Sequence, residues 1–281
     1  MNHVQAPYQS DDAFLADVAS TRGERTRNFR IWWLGQSGFL IQYQGRHVLL
    51  DPYLSDSLTK KYAATDKPHV RMTGLVIDPA RLDFIDAVTS SHNHTDHLDA
   101  ETLGPLIAAN PGIELIAPEA NRAFVANRIG SDVSFPIGLR DGESVEAGAF
   151  RFTAVPAAHE ELSPEYLGYI VQFGEWSIYH SGDTILYEGM AERLRPFAPD
   201  LALLPINGRA RERRVAGNLN AHEAAHLAKS IGAGRVIPCH YDLFTFNTAD
   251  PVEFAKIADE LQQPYTILGN GESWSSNYEL S

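Results

Sequence analysis

The chain has 281 residues, is 44% hydrophobic and 21% charged, and carries a formal net charge of −13. This length and composition suit one globular domain with a full apolar core, whereas the acidic excess argues against a nucleic-acid-binding or lipid-surface protein. The single cysteine, Cys239, excludes an intramolecular disulfide, and neither a leader peptide nor a run of about 18 apolar residues is present, so we expect a cytoplasmic protein without a membrane span.

Hydrophobic periodicity and turn signals predict the secondary structure in chain order. In the first half the predicted elements are a helix at 11–21, strands at 29–34, 39–43 and 47–50, an irregular segment at 52–82, a strand at 84–89, a helix at 99–110, a strand at 113–116 and a helix at 118–127. In the second half they are strands at 144–146, 150–155, 166–173 and 176–180, a helix at 187–194, a strand at 201–204, a helix at 220–231, a strand at 235–238, a helix at 251–261 and a strand at 265–267. This order predicts an α/β domain in which two mixed sheets pack face to face with helices outside. We expect a single domain over 1–281, with 1–27 as a helical extension packed on it.

The sequence Ser-His-Asn-His-Thr-Asp-His at 91–97 directly follows a predicted apolar strand. Imidazole and carboxylate groups are the usual ligands of zinc and similar divalent ions. His92, His94, Asp96 and His97 therefore offer enough ligands on one loop to serve two ions. The alternative is a solvated polar turn that happens to contain three histidines.

Further ligand types follow later strands. His159, Asp183 and His240 each come shortly after the end of a predicted strand. Taken singly, such a histidine is more often a surface or core residue. Taken together with the loop at 91–97, the three residues favour a dinuclear metal site.

These motifs resemble the metallo-β-lactamase fold superfamily, and within it most closely the L-ascorbate-6-phosphate lactonase family. Beyond the His-x-His-x-Asp-His motif, the resemblance rests on Trp32-Trp33-Leu34-Gly35, on Phe84-Ile85-Asp86-Ala87-Val88, on Tyr179-His180-Ser181-Gly182-Asp183, and on the run from Val236 to Asp242 with Ala249-Asp250-Pro251. The resemblance implies a four-layer αββα sandwich of two mixed β-sheets.

The same resemblance implies how the ligands are shared between two ions. It assigns one ion to His92, His94 and His159, a second to Asp96, His97 and His240, and Asp183 to both. Where the lactonase family has an aspartate, this chain has His159, which favours Zn²⁺ over Mn²⁺ as the bound ion.

A dinuclear site of this kind predicts a metal-dependent hydrolase in which a hydroxide held by the two ions is the nucleophile. The resemblance implies a lactonase acting on a sugar lactone or related ester, phosphorylated substrates included, and Asp96 is predicted to orient the water and shuttle its proton. The stretch at 91–99 also resembles phosphodiesterases that cleave N-acyl phosphatidylethanolamines. Phosphodiester hydrolysis and a non-catalytic metal-binding module therefore stay open as alternatives.

Supporting residues are predicted around the ligands. Asp51, after the strand at 47–50, is expected to fix the tautomer of a ligand histidine, or else to be an ordinary turn aspartate. His180 is expected to support the ligands, to contact substrate or to pack. Predicted substrate contacts are Arg209, Arg211, Asn207 and Tyr241; the alternative for the arginines is a solvated loop paired with surface acids.

The expected partner is a small, anionic molecule rather than a nucleic acid, and the oligomeric state stays open, a homo-oligomer included. His3, His47 and His69 are predicted to be surface residues, and Trp32 and Trp33 to belong to the core.

His222-Glu223-Ala224-Ala225-His226 matches the zinc-protease motif H-E-x-x-H. Asn220 and Glu223 are also spaced as a capping box at the start of a helix, and no third ligand follows at the spacing of that protease class. The sequence therefore favours a structural role for this motif.

Overall fold

The computed structural model describes residues 4–23, 25–210, 213 and 216–276. Its helices are α1 (Asp11–Arg22), α2 (Ser57–Tyr62), α3 (Ala100–Ala109), α4 (Arg122–Ile129), α5 (Met190–Leu194), α6 (Ala221–Ile231) and α7 (Pro251–Glu260), with 3₁₀ turns at Pro79–Arg81, Glu119–Asn121 and Arg195–Phe197. Its strands are β1 (Phe29–Gly35), β2 (Gly38–Tyr43), β3 (Arg46–Leu50), β4 (Ala87–Thr89), β5 (Glu114–Pro118), β6 (Ile137–Leu139), β7 (Ser144–Ala147), β8 (Phe150–Ala158), β9 (Leu162–Phe173), β10 (Trp176–His180), β11 (Leu201–Pro205), β12 (Arg235–Cys239) and β13 (Ser273–Ser275). Residues 1–3 and 277–281 lie outside the described part, so both ends of the predicted single domain are outside it as well.

The strands form two mixed sheets. The first has seven strands in the order β13-β1-β2-β3-β4-β5-β6, and the second has six in the order β12-β11-β10-β9-β8-β7. The two sheets and their flanking helices form the α/β sandwich predicted from the sequence. None of the described helices has the length and apolarity needed to cross a membrane.

Both faces of the first sheet are buried, which explains why its strands read as nearly continuous apolar runs. In β1, Ile31 and Trp33 point into the cluster shared with the second sheet, while Trp32 and Leu34 point to the opposite face. On that opposite face lie helices α1, α3 and α4, for example through Phe14 of α1. Trp32 and Trp33 are thus both core residues, as predicted.

Several element boundaries differ from the prediction. The strand predicted at 84–89 is confined to Ala87–Thr89. Before it, the backbone N–H of Ile85 donates to the side-chain oxygen Oδ1 of Asn110 at 2.8 Å and not to a neighbouring strand. The predicted irregular segment at 52–82 contains α2, and the strand predicted at 265–267 is reduced to one bridge between Val236 and Tyr265. The short strands β6 and β13 were not predicted, since three residues carry too little periodicity to detect.

The prediction that His47 lies on the surface is wrong. Its side chain is fully buried on β3, and the ring of Phe84 packs against it with 4.7 Å between ring centroids. His69 is partly buried between aromatic rings rather than solvated, with Tyr62 stacked on it at 4.5 Å. His3 lies outside the described residues.

Candidate metal centre

Strand direction brings the ligand-bearing segments to one edge of the sheets. Strands β8 and β10 both run antiparallel to β9, and β11 and β12 run parallel to β10. The carboxyl ends of β8, β10 and β12 therefore lie at the same edge, and they lead into His159, Asp183 and His240. In the first sheet, β3 and β4 are parallel, so the loop at 91–97 leaves the same edge as Asp51.

The seven residues predicted as ligands meet there in two clusters. His92, His94 and His159 form the first, and Asp96, His97, Asp183 and His240 form the second; within each cluster the ligand atoms lie within 4.8 Å of one another. In the first cluster, His159 Nε2 is 3.1 Å from His94 Nδ1. In the second, His240 Nε2 is 3.6 Å from Asp96 Oδ2.

The carboxylate of Asp183 lies between the two clusters. Its Oδ2 atom is 3.8 Å from His159 Nε2 in the first cluster and 3.4 Å from His240 Nε2 in the second, and its Oδ1 atom is 3.4 Å from His97 Nε2. The preceding Gly182 has φ +57°, and a Cβ there would come within 2.6 Å of Ser91 Cβ. Glycine at 182 thus lets the Asp183 segment approach the histidine loop closely.

Unpartnered polar atoms of the site fit divalent cations. His92 Nε2 and His97 Nε2 are buried and have no hydrogen-bond partner among the described residues. Buried polar atoms are rarely left without a partner, and imidazole nitrogen is a preferred zinc ligand.

The protonation states around the ligands agree with that fit. Burial, followed by the nearby His97, His159 and His94, holds the pKa of His92 well below its ordinary value, so its ring is neutral and able to bind a metal. Although burial opposes it, the histidines around Asp183 hold the pKa of that carboxyl well below its usual range. Although burial opposes it, the carboxylates of Asp183 and Asp96 raise the pKa of His97 well above its ordinary value and that of His240 to about 9, so each of these rings would release a proton on binding a metal. Imidazole and carboxylate together are the donor set that such ions take.

Side-chain contacts of Asp51 and Ser91 hold the loop at 91–97, which is called the ligand loop below. Asp51 Oδ2 lies 2.7 Å from His97 Nδ1, which leaves Nε2 of that ring directed at the second cluster. The Ser91 hydroxyl donates to the same carboxylate and lies 3.1 Å from His92 Nδ1. A carboxylate at this distance from Nδ1 can fix the tautomer of the His97 ring, which is the role predicted for Asp51.

His180 is fully buried, and Ser37 lies between it and the second cluster. Its Nε2 lies 2.9 Å from the carbonyl oxygen of Ser37, whose hydroxyl donates to Asp183 Oδ1 at 3.3 Å. His180 therefore connects to Asp183 through Ser37.

Gln36 is a site residue that belongs to no metal-ligand motif in the sequence. Its Nε2 donates to Asp96 Oδ2 at 3.1 Å and lies 3.3 Å from His240 Nε2. Its backbone is in the left-handed region at φ +46°, and its carbonyl accepts from the backbone N–H of His240 at 3.0 Å. A signal exists in the sequence, since Gln36 follows β1 and β1 runs in the same direction as β3.

A cavity of about 490 Å³ opens over the clusters and exposes ligand residues to solvent. Its floor includes His94, Asp96, His159 and Asp183. Its walls come from α2 and the segment after it, from α4, and from Asn247. A substrate entering this cavity would meet groups from both clusters.

Three residues predicted to contact substrate, which are Arg209, Tyr241 and Asn207, do not line the cavity. Arg209 forms a two-point ion pair with Glu223 at 2.6 and 2.8 Å, and Arg211 lies outside the described residues. Tyr241 is buried and donates its hydroxyl to the carbonyl of Leu268 at 2.7 Å. Asn207 is 5% exposed and donates to Asn247 Oδ1 at 2.8 Å, so it supports a cavity residue instead of lining the cavity.

The H-E-x-x-H sequence has the structural role favoured above. Asn220 and Glu223 form a complete capping box at the start of α6, and Arg209 forms an ion pair with the Glu223 carboxylate. His222 and His226 are exposed and adjacent, with 4.1 Å between ring centroids, on a helix separate from both clusters.

Comparisons with known proteins identify the family of the chain. The family model described as "Beta-lactamase superfamily domain" matches residues 46–241. A UPF0173 metal-dependent hydrolase of Methanopyrus kandleri is 31% identical over 258 residues, covering 87% of this chain and 99% of that protein.

Solved structures share the fold. Igni18, described as a novel metallo hydrolase from Ignicoccus hospitalis, superposes with a TM-score of 0.65 at 22% identity, covering 90% of this chain and 100% of its own. The metallo-β-lactamase fold protein YhfI from Bacillus subtilis gives a TM-score of 0.65 at 20% identity, covering 89% and 100%. At these identities the two structures establish the fold alone.

Proposed function

The chain belongs to the β-lactamase superfamily and to its UPF0173 group of metal-dependent hydrolases, and we propose that it uses two divalent ions to hydrolyse a lactone or a related ester. The observation that carries this proposal is the position of Asp183, whose Oδ2 lies 3.8 Å from His159 Nε2 and 3.4 Å from His240 Nε2. A single carboxylate within reach of both clusters is suited to binding two ions at once.

In this proposal the two clusters hold one ion each. His92, His94 and His159 would hold the first, and Asp96, His97 and His240 the second, with Asp183 shared. The imidazole-rich set favours Zn²⁺, with Mn²⁺ as the alternative. When bound, such ions supply Lewis acidity, which acidifies a water molecule and polarises the oxygen of the bond to be cleaved.

The protein's own groups then position the reaction. Asp96 lies on the cavity floor, and Gln36 and His240 hold one of its carboxylate oxygens, so the other oxygen can orient a water molecule and accept its proton. Asp51, through His97, and Ser37, through Asp183, keep the ligands in place without contacting substrate.

Access to the ligand residues favours an enzyme over a structural metal-binding module. Structural zinc sites are closed by their ligands, whereas catalytic sites keep a position open for water or substrate. Here four ligand residues form the floor of an open cavity. The lactone is favoured over a phosphodiester by the resemblance of the run from Val236 to Asp242 to the ascorbate-phosphate lactonases.

The test begins with elemental analysis of protein purified without added metal. Turnover is then measured on a panel of sugar and aliphatic lactones and on bis(p-nitrophenyl) phosphate. We expect two bound ions per chain and faster hydrolysis of the lactones. Two ions with phosphodiester turnover alone would transfer the proposal to the phosphodiesterase alternative, and metal binding with no turnover on either panel would support the non-catalytic module.

A further inference from the structure

The cavity over the metal ligands has a basic wall, although the chain carries a net charge of −13. Lys61, Lys67 and Arg128 line it, and Glu160 is the acidic wall residue among those described, apart from the ligand carboxylates. The long-range field of the molecule repels anions, so a local excess of cations at the cavity reverses that field where substrate enters.

Lys61 is placed over the ligand loop. It lies in the last turn of α2, and its Nζ donates to Thr95 Oγ1 at 3.2 Å; Thr95 stands between His94 and Asp96. Within the part of the chain that the structure describes, no carboxylate forms an ion pair with Lys61. The neighbouring Lys60 differs, because its Nζ pairs with Glu101 Oε2 at 2.6 Å.

Arg128 contributes a fixed charge to another wall. Its NH1 group donates to the carbonyls of Asn93 at 3.0 Å and Leu98 at 3.1 Å, and its guanidinium lies 4.7 Å from the ring centroid of Phe124. Arg128 thus connects α4 to the loop at 91–97 and places a positive charge in this wall, with Asp99 as the carboxylate that acts on it.

Aromatic surface lies beside these cations. Tyr62 and His69 are stacked with 4.5 Å between centroids and an interplanar angle of 27°, and both line the cavity. Phe124 also lines it and is 42% exposed. An aromatic ring left open at the mouth of a polar site provides apolar area for a ligand to cover.

We propose that the substrate carries a carboxylate or phosphate group away from the bond that is cleaved, that Lys61 binds this anionic group, and that Tyr62 and Phe124 contact the adjoining apolar part. The inference rests on the proposed hydrolysis of a lactone or ester, and it adds the class of substrate. Because Lys61 would interact with a group remote from the reaction, it stabilises ground state and transition state alike and acts on KM.

The test compares γ-butyrolactone with two anionic derivatives, one bearing a carboxylate and one bearing a phosphomethyl group on the ring. We expect the wild-type protein to prefer at least one anionic lactone in kcat/KM. In Lys61→Gln the ratio of kcat/KM for anionic over neutral lactone should fall about three- to tenfold, through KM, which is the size expected for one contact that is partly screened by solvent. The derivative with the larger fall identifies the anionic group.

Lys60→Gln is the matched control, because it removes the same charge from the same helix at a side chain that is paired with Glu101. The preference for anionic lactones should be unchanged in this variant. An equal loss in Lys60→Gln, or a wild-type protein with no preference for either anion, would overturn the proposed subsite.

A binding experiment separates this inference from the proposed function. Calorimetry on the metal-loaded protein would compare tetrahydrofuran-2-carboxylate, which has no ester bond, with the neutral tetrahydrofurfuryl alcohol. Binding of the carboxylate that weakens in Lys61→Gln but not in Lys60→Gln supports the subsite even where no lactone is hydrolysed. Lactone turnover together with equal binding of the carboxylate by wild type and Lys61→Gln rejects the subsite and leaves the lactonase standing.

Discussion

The carboxylate of Asp51 lies 2.7 Å from Nδ1 of His97, and neither side chain is exposed to solvent. The backbone N–H of Ser91 donates to the other oxygen of the same carboxylate at 3.0 Å. The buried carboxylate of Asp51 thus orients the His97 ring and anchors the start of the loop at 91–97. Because β3 and β4 are parallel, the chain brings Asp51 beneath the loop by strand direction alone.

Replacing Asp51 with asparagine should weaken metal binding. The amide cannot accept the His97 N–H as strongly, so the ring loses basicity and a fixed tautomer, and affinity for Zn²⁺ is expected to fall about 10- to 100-fold. Competition with a chromophoric chelator measures the affinity, and circular dichroism checks that the variant folds. Asp86→Asn is the control, since Asp86 is a carboxylate at the other end of the same strands, where it pairs with Arg46. Equal zinc affinity of Asp51→Asn and wild type would remove this role from Asp51.

Shortening the Gln36 side chain should disturb the second cluster. Gln36→Asn keeps an amide and tolerates the positive φ of 46°, but it withdraws Nε2 from Asp96 and His240. We expect weaker binding of one of the two ions and a lower kcat, measured by zinc titration and by turnover at saturating metal. Gln44→Asn, in the exposed turn between β2 and β3 at φ +49°, is the matched control. A variant that keeps two tightly bound ions and full kcat would show that the Gln36 amide is dispensable.

The buried His47 predicts a specific pH dependence of folding. Burial first, and then the charge of Arg22, lowers the pKa of His47 to about 4, with Asp86 acting in the opposite direction. Below its ordinary value of 6.5 the unfolded chain takes up a proton that the folded chain does not, so stability falls as the pH drops from 6.5 to about 4, by about 3 kcal/mol in total.

The measurement is chemical denaturation of wild type and His47→Leu between pH 4 and 7. Both ring nitrogens of His47 lack partners among the described residues, so leucine leaves no new unsatisfied group. Arg22, Asp86 and the cross-strand Gln42 surround the ring in both proteins, and the difference between the two curves therefore isolates the imidazole. Parallel stability curves over this range would contradict the assigned pKa.

The histidines of the H-E-x-x-H sequence should be unnecessary for the metal centre. His222→Ala and His226→Ala are expected to retain both ions and full turnover, whereas His94→Ala loses metal. Glu223→Ala should instead lower stability by about 1 kcal/mol, since it removes the capping box and the partner of Arg209. Loss of all metal in His226→Ala would restore the protease interpretation.

Sequence order alone was enough to anticipate where the ligand types converge, because each of them follows a strand and parallel strands end at one edge. Asp183 and His240 were identifiable in this way, and so was the supporting Asp51. Gln36 also follows a strand that ends at this edge, but an amide carries no metal-ligand signature, and its position between Asp96 and His240 depends on a left-handed turn.

The surroundings of the residues predicted to contact substrate were the hardest to predict, for a different reason. A charged side chain can face a cavity or pair on the surface, and the choice depends on distant partners. Arg209 has its carboxylate partner on α6, while Lys61, in a segment expected to be irregular, lies on a helical turn above the ligand loop. Tyr241 follows a ligand directly, yet its hydroxyl turns away to Leu268.

A variant of Asp96 can distinguish its proposed role in proton transfer from metal binding. Its Oδ2 accepts from Gln36 at 3.1 Å and lies 3.6 Å from His240 Nε2, while the residue also lines the cavity. Asp96→Asn retains an oxygen that can bind a metal but cannot accept a proton from water. We expect the variant to fold, to keep at least the ion of the first cluster, and to lose about 10²- to 10⁴-fold in kcat at saturating metal. Asp99→Asn is the control, since Asp99 caps α3 three residues further on and asparagine caps equally well. Full turnover of Asp96→Asn at full metal occupancy would show that the proton leaves by another group, and the other carboxylates that line the cavity are those of Asp183 and Glu160.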